Sequence, residues 1–279
     1  MIKFWRFGLI PTAILLGMAA GTLAHAETTL ERIVRTKKMT VATEAAYPPM
    51  EYIEKGKIVG LGSDILAEIA KDLGVEVEQI ELPFQGILPG LLADKFDFVA
   101  TSVGINAERA KRYAYTMPVA ENSSTIIKKA RSEIGGIPDL KGKVVATQLA
   151  SSMEPIARRI DEQLKVEGKG FKELKLFPSF NDCILSVGNG TADVAFAPLP
   201  ILNYLMSQHP GVFEIVGRAD QKPTYVAWVV RPEDKDLREA INKTLKRLND
   251  SGKFAELQQK WLKMTYPLPQ KNYLPEGAL

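Results

Sequence analysis

The 279-residue chain has a single cysteine, Cys183, and two histidines, His25 and His209. One cysteine excludes an intramolecular disulfide. A small thiol packed on a helix is the plain reading of Cys183, ahead of a reactive one. So few imidazoles and thiols leave no ligand set for zinc and no base for a histidine-activated nucleophile. No metal site, cofactor or catalytic residue is therefore expected. Past residue 26 there is no apolar run of membrane-spanning length. An excess of one charge is missing too, as the removal of the first segment makes clear.

That segment is where the apolar residues concentrate. Lys3 and Arg6 precede a largely apolar stretch over residues 7–23, and Ala24-His25-Ala26 follows. Basic start, apolar middle and small-x-small end describe a secretory signal peptide over residues 1–26. A retained membrane anchor is the alternative. Pro11 within the run and the small residues at its end favour cleavage near Ala26, which exports the protein to the periplasm. No cysteine at the cleavage point offers a lipid attachment. Losing Lys3 and Arg6 leaves 34 basic against 33 acidic residues. Nucleic acid and anionic lipid are then without electrostatic support as partners.

About 250 residues remain, enough for two lobes of ordinary size. Strand-like and helix-like segments alternate: 39–43, then a helix over 64–73 ending at Gly74, a strand over 75–82, a helix over 86–93 and a buried strand over 97–103. Such alternation predicts an α/β fold with parallel sheets covered by helices. There is also an internal echo. Val41-Ala42-Thr43-Glu44 returns as Val145-Ala146-Thr147-Gln148, 104 residues on, while Phe84 and Asp97 return as Phe180 and Asp193, 96 residues on. Two related lobes with unequal loops account for both offsets. The expected organisation is lobe 1 over 27–118, lobe 2 with hinge segments at both ends over 119–224, and a return to lobe 1 over 225–279. Two chain crossings make a hinge, and a hinge makes a cleft.

In open α/β sheets ligands sit beyond the C-terminal strand ends, near helix N-termini. Four such ends are Glu44 to Tyr47, Ser102 to Gly104, Ala150 to Ser152, and Ala197-Pro198. Asn106 reads as an N-cap that puts Arg109 in a first helical turn, where a cation opposes the helix dipole. A surface arginine in a charge-rich helix is one reading; a bidentate partner for a carboxylate, with Ser102 sharing the charge, is the other. Ser151-x-x-Glu154 reads as a capping box, and Ser152 beside it is free to meet the same carboxylate. Tyr47 and Phe84 are aromatic walls or simply core.

At these residues the chain resembles the family 3 extracellular solute-binding proteins of polar amino-acid ABC importers. The resemblance runs through Tyr47-Pro48-Pro49-Met50-Glu51-Tyr52, Gly56 to Leu61, Phe84-Gln85-Gly86-Ile87-Leu88-Pro89-Gly90-Leu91, Lys95-Phe96-Asp97-Phe98, Glu108-Arg109-Ala110-Lys111, and Leu248 to Phe254 with Trp261. It implies a two-lobed type II periplasmic-binding-protein fold, each lobe a central sheet covered by helices, joined by two strands. It also implies capture of a small amino-acid-like ligand by lobe closure and delivery to a membrane permease; nothing in the sequence gives reason to expect an oligomer, so a monomer is expected. The ligand-binding positions it implies are Glu44, Tyr47, Phe84, Ser102, Gly104, Arg109, Ser151 and Ser152. Two of the family's features are missing. Gly104 stands where Thr or Ser is usual, and Pro198 stands where an acid pairs with the ligand's ammonium. Either Glu44 substitutes for that acid, or the ligand lacks a primary amine, as an opine or betaine does. Two other functions fit the same fold: a dehydratase or lyase using Glu44 or Asp182 as general acid, and a module that presents ligand to a membrane sensor.

Overall fold

A computed structural model describes Met1, residues 26–219 and residues 223–279. The expected signal peptide lies outside the described residues, as does part of the second expected crossing. Helix α1 (Thr29–Thr36), capped at Thr28, leads into strand β1 (Lys38–Thr43), and β2 (Ala46–Tyr47), β3 (Glu51–Glu54) and β4 (Lys57–Val59) form a small antiparallel sheet. Then come α2 (Leu61–Leu73), β5 (Glu76–Glu81), α3 (Phe84–Leu92), β6 (Phe98–Gly104), α4 (Ala107–Ala110) and β7 (Ala114–Glu121). The next stretch is β8 (Ser124–Lys129), β9 (Val144–Gln148), α5 (Met153–Val166), β10 (Glu173–Phe177), α6 (Phe180–Gly188), β11 (Val194–Pro198), α7 (Leu199–Gln208) and β12 (Phe213–Arg218). The described chain ends with β13 (Tyr225–Val230), α8 (Lys235–Asp250), α9 (Lys253–Leu262) and an irregular tail.

Two five-stranded sheets result, β5-β1-β6-β13-β7 and β10-β9-β11-β8-β12. Their plans match. In each, three parallel strands are followed by one antiparallel strand that arrives from the other lobe, and an edge strand closes the sheet. The sheets are therefore mixed, where alternation alone predicted parallel ones. The exceptions, β8 and β13, are the strands that follow the crossings. Strand β7 was not anticipated. It is buried on both faces, so it lacks the alternation that marks a strand, and its Pro118 is tolerated because β7 lies at the sheet edge. The crossings touch: Asn122 N–H donates to the Thr224 carbonyl at 2.7 Å, and Thr224 Oγ1 donates to the Asn122 carbonyl at 2.6 Å.

Helix formation follows local rules. Gly74 takes the left-handed conformation (φ 65°) that stops α2, returning its N–H to the carbonyls of Ala70 and Lys71. Helix α8 buries Leu237, Ile241, Leu245 and Leu248 in a stripe against β7, α2 and α9. Each such side chain contributes about 1.5–3 kcal/mol. Cys183 is fully buried on α6, donates to the Ser179 carbonyl, and burial pushes its thiol well up, which leaves it inert.

The echo in the sequence has a structural meaning. Asp97 donates its N–H to the Thr40 carbonyl at 2.8 Å and accepts from Thr40 N–H at 2.8 Å. Asp193 does the same to Val144, at 2.8 and 2.7 Å. Three residues further along each strand, Thr43 Oγ1 donates to the Ala100 carbonyl and Thr147 Oγ1 to that of Phe196. One device fastens the third strand to the first in both lobes. The two aspartates differ in burial, since Asp97 is 5 % exposed and pairs with Arg32 while Asp193 is exposed. Replacing Asp97 with Ala is expected to cost about 1–2 kcal/mol, and Asp193 with Ala under about 1, because Asp97 is itself buried and its bond to Thr40 N–H is half-buried, while the bond of Asp193 to Val144 N–H is exposed. Urea denaturation of the two variants checks the difference.

Candidate ligand-binding site

The residues singled out from sequence fall into two groups where the lobes meet. The first lies on the floor of lobe 1. Glu44 follows β1, Tyr47 is in β2, and Ser102 lies near the end of β6. Glu44 is 6 % exposed and accepts a short hydrogen bond from Gln148 Nε2 of the other lobe. Burial pushes its carboxyl up to about 8, with the Gln148 bond pulling it partly back. Gln148 stands 104 residues after Glu44, so it is the counterpart of Glu44 in the repeated unit. The Tyr47 ring meets the Phe180 ring of lobe 2 at 5.8 Å between centroids. Burial raises its hydroxyl pKa well above the usual value, and the nearby carboxyls of Glu51 and Glu44 add to this.

Sequence reading passed over Glu51. It is fully buried, and its Oε2 accepts from Ser102 Oγ at 3.3 Å and from Thr101 Oγ1 at 3.4 Å. Burial pushes it up to about 8; the Ser102 bond lowers it somewhat and the Glu44 charge raises it. Its other oxygen, Oε1, has no hydrogen-bond partner among the described residues. A Cβ on Gly62 would lie 2.1 Å from that oxygen, so the acid occupies room that only glycine leaves. That glycine was the available signal, but its link to Glu51 is a tertiary contact.

The second group surrounds Arg109. Asn106 caps the short helix α4 by accepting from Arg109 N–H at 2.9 Å, as the cap reading expected. The guanidinium donates to the Gly104 carbonyl at 3.2 Å, reaches the Ala150 carbonyl of lobe 2, and lies 5.5 Å from the centre of the Phe84 ring. Burial lowers its pKa, and the flanking Tyr115 and Tyr113 offset part of that. Gly104 faces Ser152: a Cβ there would stand 2.4 Å from Ser152 Oγ. Ser152 Oγ also accepts from Asn122 Nδ2 in the hinge, at 3.1 Å.

The capping box needs correction. Helix α5 starts at Met153, and its N-cap is Ser152, whose side chain caps nothing. Ser151 Oγ donates to the Gln148 carbonyl at 2.8 Å and accepts from Met153 N–H at 3.2 Å, while Glu154 reaches back to Ala150 N–H at 2.8 Å. The tight turn at Ala150 (φ 59°) shifts each partner by one residue, so the Ser151 hydroxyl is occupied within its own loop. A cavity of about 510 Å³ opens between Arg109, Ser151, Ser152, Pro155 and the hinge residues Asn122 and Thr224. Glu44, Tyr47, Phe84, Ser102 and Gly104 do not line it. Another cavity, of about 450 Å³, lies between Tyr52, Tyr204, Trp261 and Tyr266, and none of the eight expected ligand-binding residues lines it. Among the described residues no group of three His, Cys, Asp or Glu side chains could hold a metal ion, and no helix is long and apolar enough to cross a membrane.

The profile of the bacterial extracellular solute-binding proteins, family 3, matches residues 39–264. A probable amino-acid ABC transporter-binding protein of Haemophilus influenzae is 29% identical, over 91% of this chain and 96% of its own. Among solved structures, a mutant ArgBP from T. maritima superposes with a TM-score of 0.74 at 29% identity, covering 85% of this chain and 100% of that one. An ancestral amino acid-binding protein, a precursor of cyclohexadienyl dehydratase, superposes with a TM-score of 0.74 at 26% identity, covering 84% and 99%.

The paired acids set a pH dependence. Glu44 and Glu51 titrate near 8 in the fold but near 4.5 when unfolded, so the folded state holds more protons between those values. Stability should therefore fall as pH rises from about 4.5 to 8. Glu51→Gln is expected to melt higher than the wild type at pH 8 and to flatten that decline. Thermal melts from pH 5 to 8 measure it, and an unchanged slope would mean that Glu51 is ionised in the fold.

Proposed function

Because the chain belongs to the bacterial extracellular solute-binding proteins of family 3, we propose that it is the periplasmic substrate-binding component of an ABC importer, taking an amino acid or amino-acid derivative by closure of its lobes. In this reading the signal peptide is cleaved near Ala26, and the mature protein works as a monomer that hands its ligand to the permease. Lobe 1 comprises residues 27–118 and 225–279, and lobe 2 with the hinge segments comprises 119–224.

The observation that carries the reading is the place of Arg109. Its guanidinium sits on lobe 1 yet reaches the Ala150 carbonyl of lobe 2, over the Phe84 face and beside the cavity lined by Ser152. A ligand carboxylate that takes this fork bidentately replaces a carbonyl with a better acceptor and stays in contact with both lobes. Closure is then favoured by contacts that exist only when the lobes are together. Tyr47 and Phe84 stand behind this cavity, and they flank the apolar part of a ligand that parts the Tyr47–Phe180 contact between the lobes. Ser102 and Glu44 read its polar end, and Ser151 supports the loop that carries Ser152.

A second reading keeps one specific observation. Glu44, a buried acid held neutral near pH 7, is the kind of group a general acid requires, and a neighbour in fold is a precursor of a dehydratase. Asp182 does not offer the same. It is exposed and engaged in the cap of α6, where it accepts from Ser179 Oγ at 2.8 Å. Glu44, however, takes its hydrogen bond from the Gln148 amide, which exchanges no proton, and the carboxyl in whose field it lies, Glu51, is a second buried acid. Binding without turnover is the function proposed.

A thermal-shift screen of the stripped protein against amino acids, opines, betaines and simple carboxylates tests the ligand class, and recovery of the ligand unchanged separates carrier from enzyme. Arg109→Ala is expected to weaken binding of the responding ligand by about 3 kcal/mol, in the range for losing one partner of a buried charge pair. Wild-type affinity in that variant, read by calorimetry, sinks the carboxylate assignment. Gly104→Ala tests closure separately. Its new Cβ would meet Ser152 across the lobe interface and Asn122 in the hinge, so affinity should drop at least about tenfold, the equivalent of 1.4 kcal/mol, and an unchanged affinity would mean that the lobes do not close at this contact.

A further inference from the structure

The family match ends at residue 264, but the chain runs on to residue 279 without helix or strand. This tail is tied down along its length. Leu268 and Tyr273 pack on the larger hydrophobic core. Leu274 and Ala278 pack on a separate, smaller one, which contains Phe84, Ala110, Tyr113 and Tyr115. Leu279 N–H donates to the Ala110 carbonyl at 2.9 Å, and the Leu279 carbonyl accepts from Arg238 of α8 at 3.2 Å.

The smaller core underlies the Arg109 group. Phe84 carries the guanidinium on its face, and Tyr115 donates to the same Gly104 carbonyl that Arg109 uses. Helix α4 has four residues, too few to sustain itself by its own hydrogen bonds. Its last carbonyl, that of Ala110, is one of the acceptors a helix end leaves open, and the tail supplies the donor. So α4 is fixed at its start by Asn106 and at its end by a segment beyond the family's common core.

We propose that residues 265–279 are a positioning strap, which holds α4 and the small core beneath it so that the Arg109 guanidinium stays aimed at the lobe interface. The strap touches no ligand; it acts through Arg109, and its effect on binding rests on the carboxylate reading above.

Hydrogen exchange on the full mature protein tests the strap without any ligand. The variants are Leu274→Ala, Leu274→Met as the conservative rescue, and Arg238→Ala, which frees the Leu279 carbonyl while leaving the small core whole. In Leu274→Ala and Arg238→Ala the amides of residues 107–113 are expected to exchange at least about fivefold faster, with those of α2 and α5 unchanged, and Leu274→Met is expected to restore the wild-type rate. Unchanged exchange in 107–113, or a rise spread evenly over lobe 1, overturns the proposal. Thermal shifts with L-arginine and L-argininamide add the functional readout. The Leu274→Ala variant should lose shift with the carboxylate form and keep it with the amide, and equal losses with both probes overturn the positioning role. A wild type that answers to neither probe bears on the ligand reading alone, and the exchange result then decides the strap.

Discussion

The contact between Glu44 and Gln148 joins the two lobes at the ends of their first strands. A carboxyl this deeply buried tolerates little, because an unpaired ionised acid in a low-dielectric setting costs several kcal/mol. Here burial pushes it toward the neutral form, and its hydrogen-bond donor, Gln148 Nε2, comes from the other lobe. Separating the lobes removes the donor but admits water. Closing them requires that whatever lies between satisfy the acid again. In the proposed reading, a ligand that parts this contact must itself donate a hydrogen bond to Glu44.

The same contact shows why the site lies where it does. Glu44 and Gln148 occupy equivalent places in the two units, just beyond Thr43 and Thr147, which fasten the first strand to the third in each lobe. Each lobe thus brings the C-terminal end of its first strand to the interface, where α/β sheets hold ligands. Divergence between the units then supplies function. An acid faces an amide, and a tyrosine on lobe 1 packs on Phe180, the counterpart of Phe84. Glycine at position 104 lets Ser152 approach, which explains in steric terms the hydroxyl missing there.

Much of this was legible in the chain. The helices α2, α3, α8 and α9 have clear periodicity, and the repeated aspartates and threonines marked two lobes before any coordinates. The Asn106 cap of Arg109 was local and so was readable. Three features were not. Strand β7 is covered on both faces and lacks alternation. The Ser151 box slipped by one residue because Ala150 adopts a left-handed turn without a glycine to signal it. Glu51 stood out only as part of the Tyr47 to Tyr52 motif, and Gly62 and Ser102, distant in sequence, reveal that it is interior. Local rules were read correctly where the partner was local and missed where it was not.

Pro198 shows how such substitutions hold together. It ends β11 opposite Ser124, it is the N-cap of α7, and its successor Leu199 donates to the Ser123 carbonyl in the hinge at 3.1 Å. A fixed φ of −65° suits this corner, where strand, helix start and crossing meet within three residues. The proline brings rigidity at the hinge and gives up any side-chain acceptor at that end of lobe 2. The acids at the interface stand on lobe 1: Glu44 and Glu51 lie within reach of one another's field, with Ser102 donating to the second. With the Ser102 proton committed to Glu51, its oxygen keeps lone pairs free for a donor. In the proposed reading Arg109 takes the carboxylate, and a ligand that carries an amine meets it on the Glu44–Ser102 side of lobe 1 before lobe 2 closes.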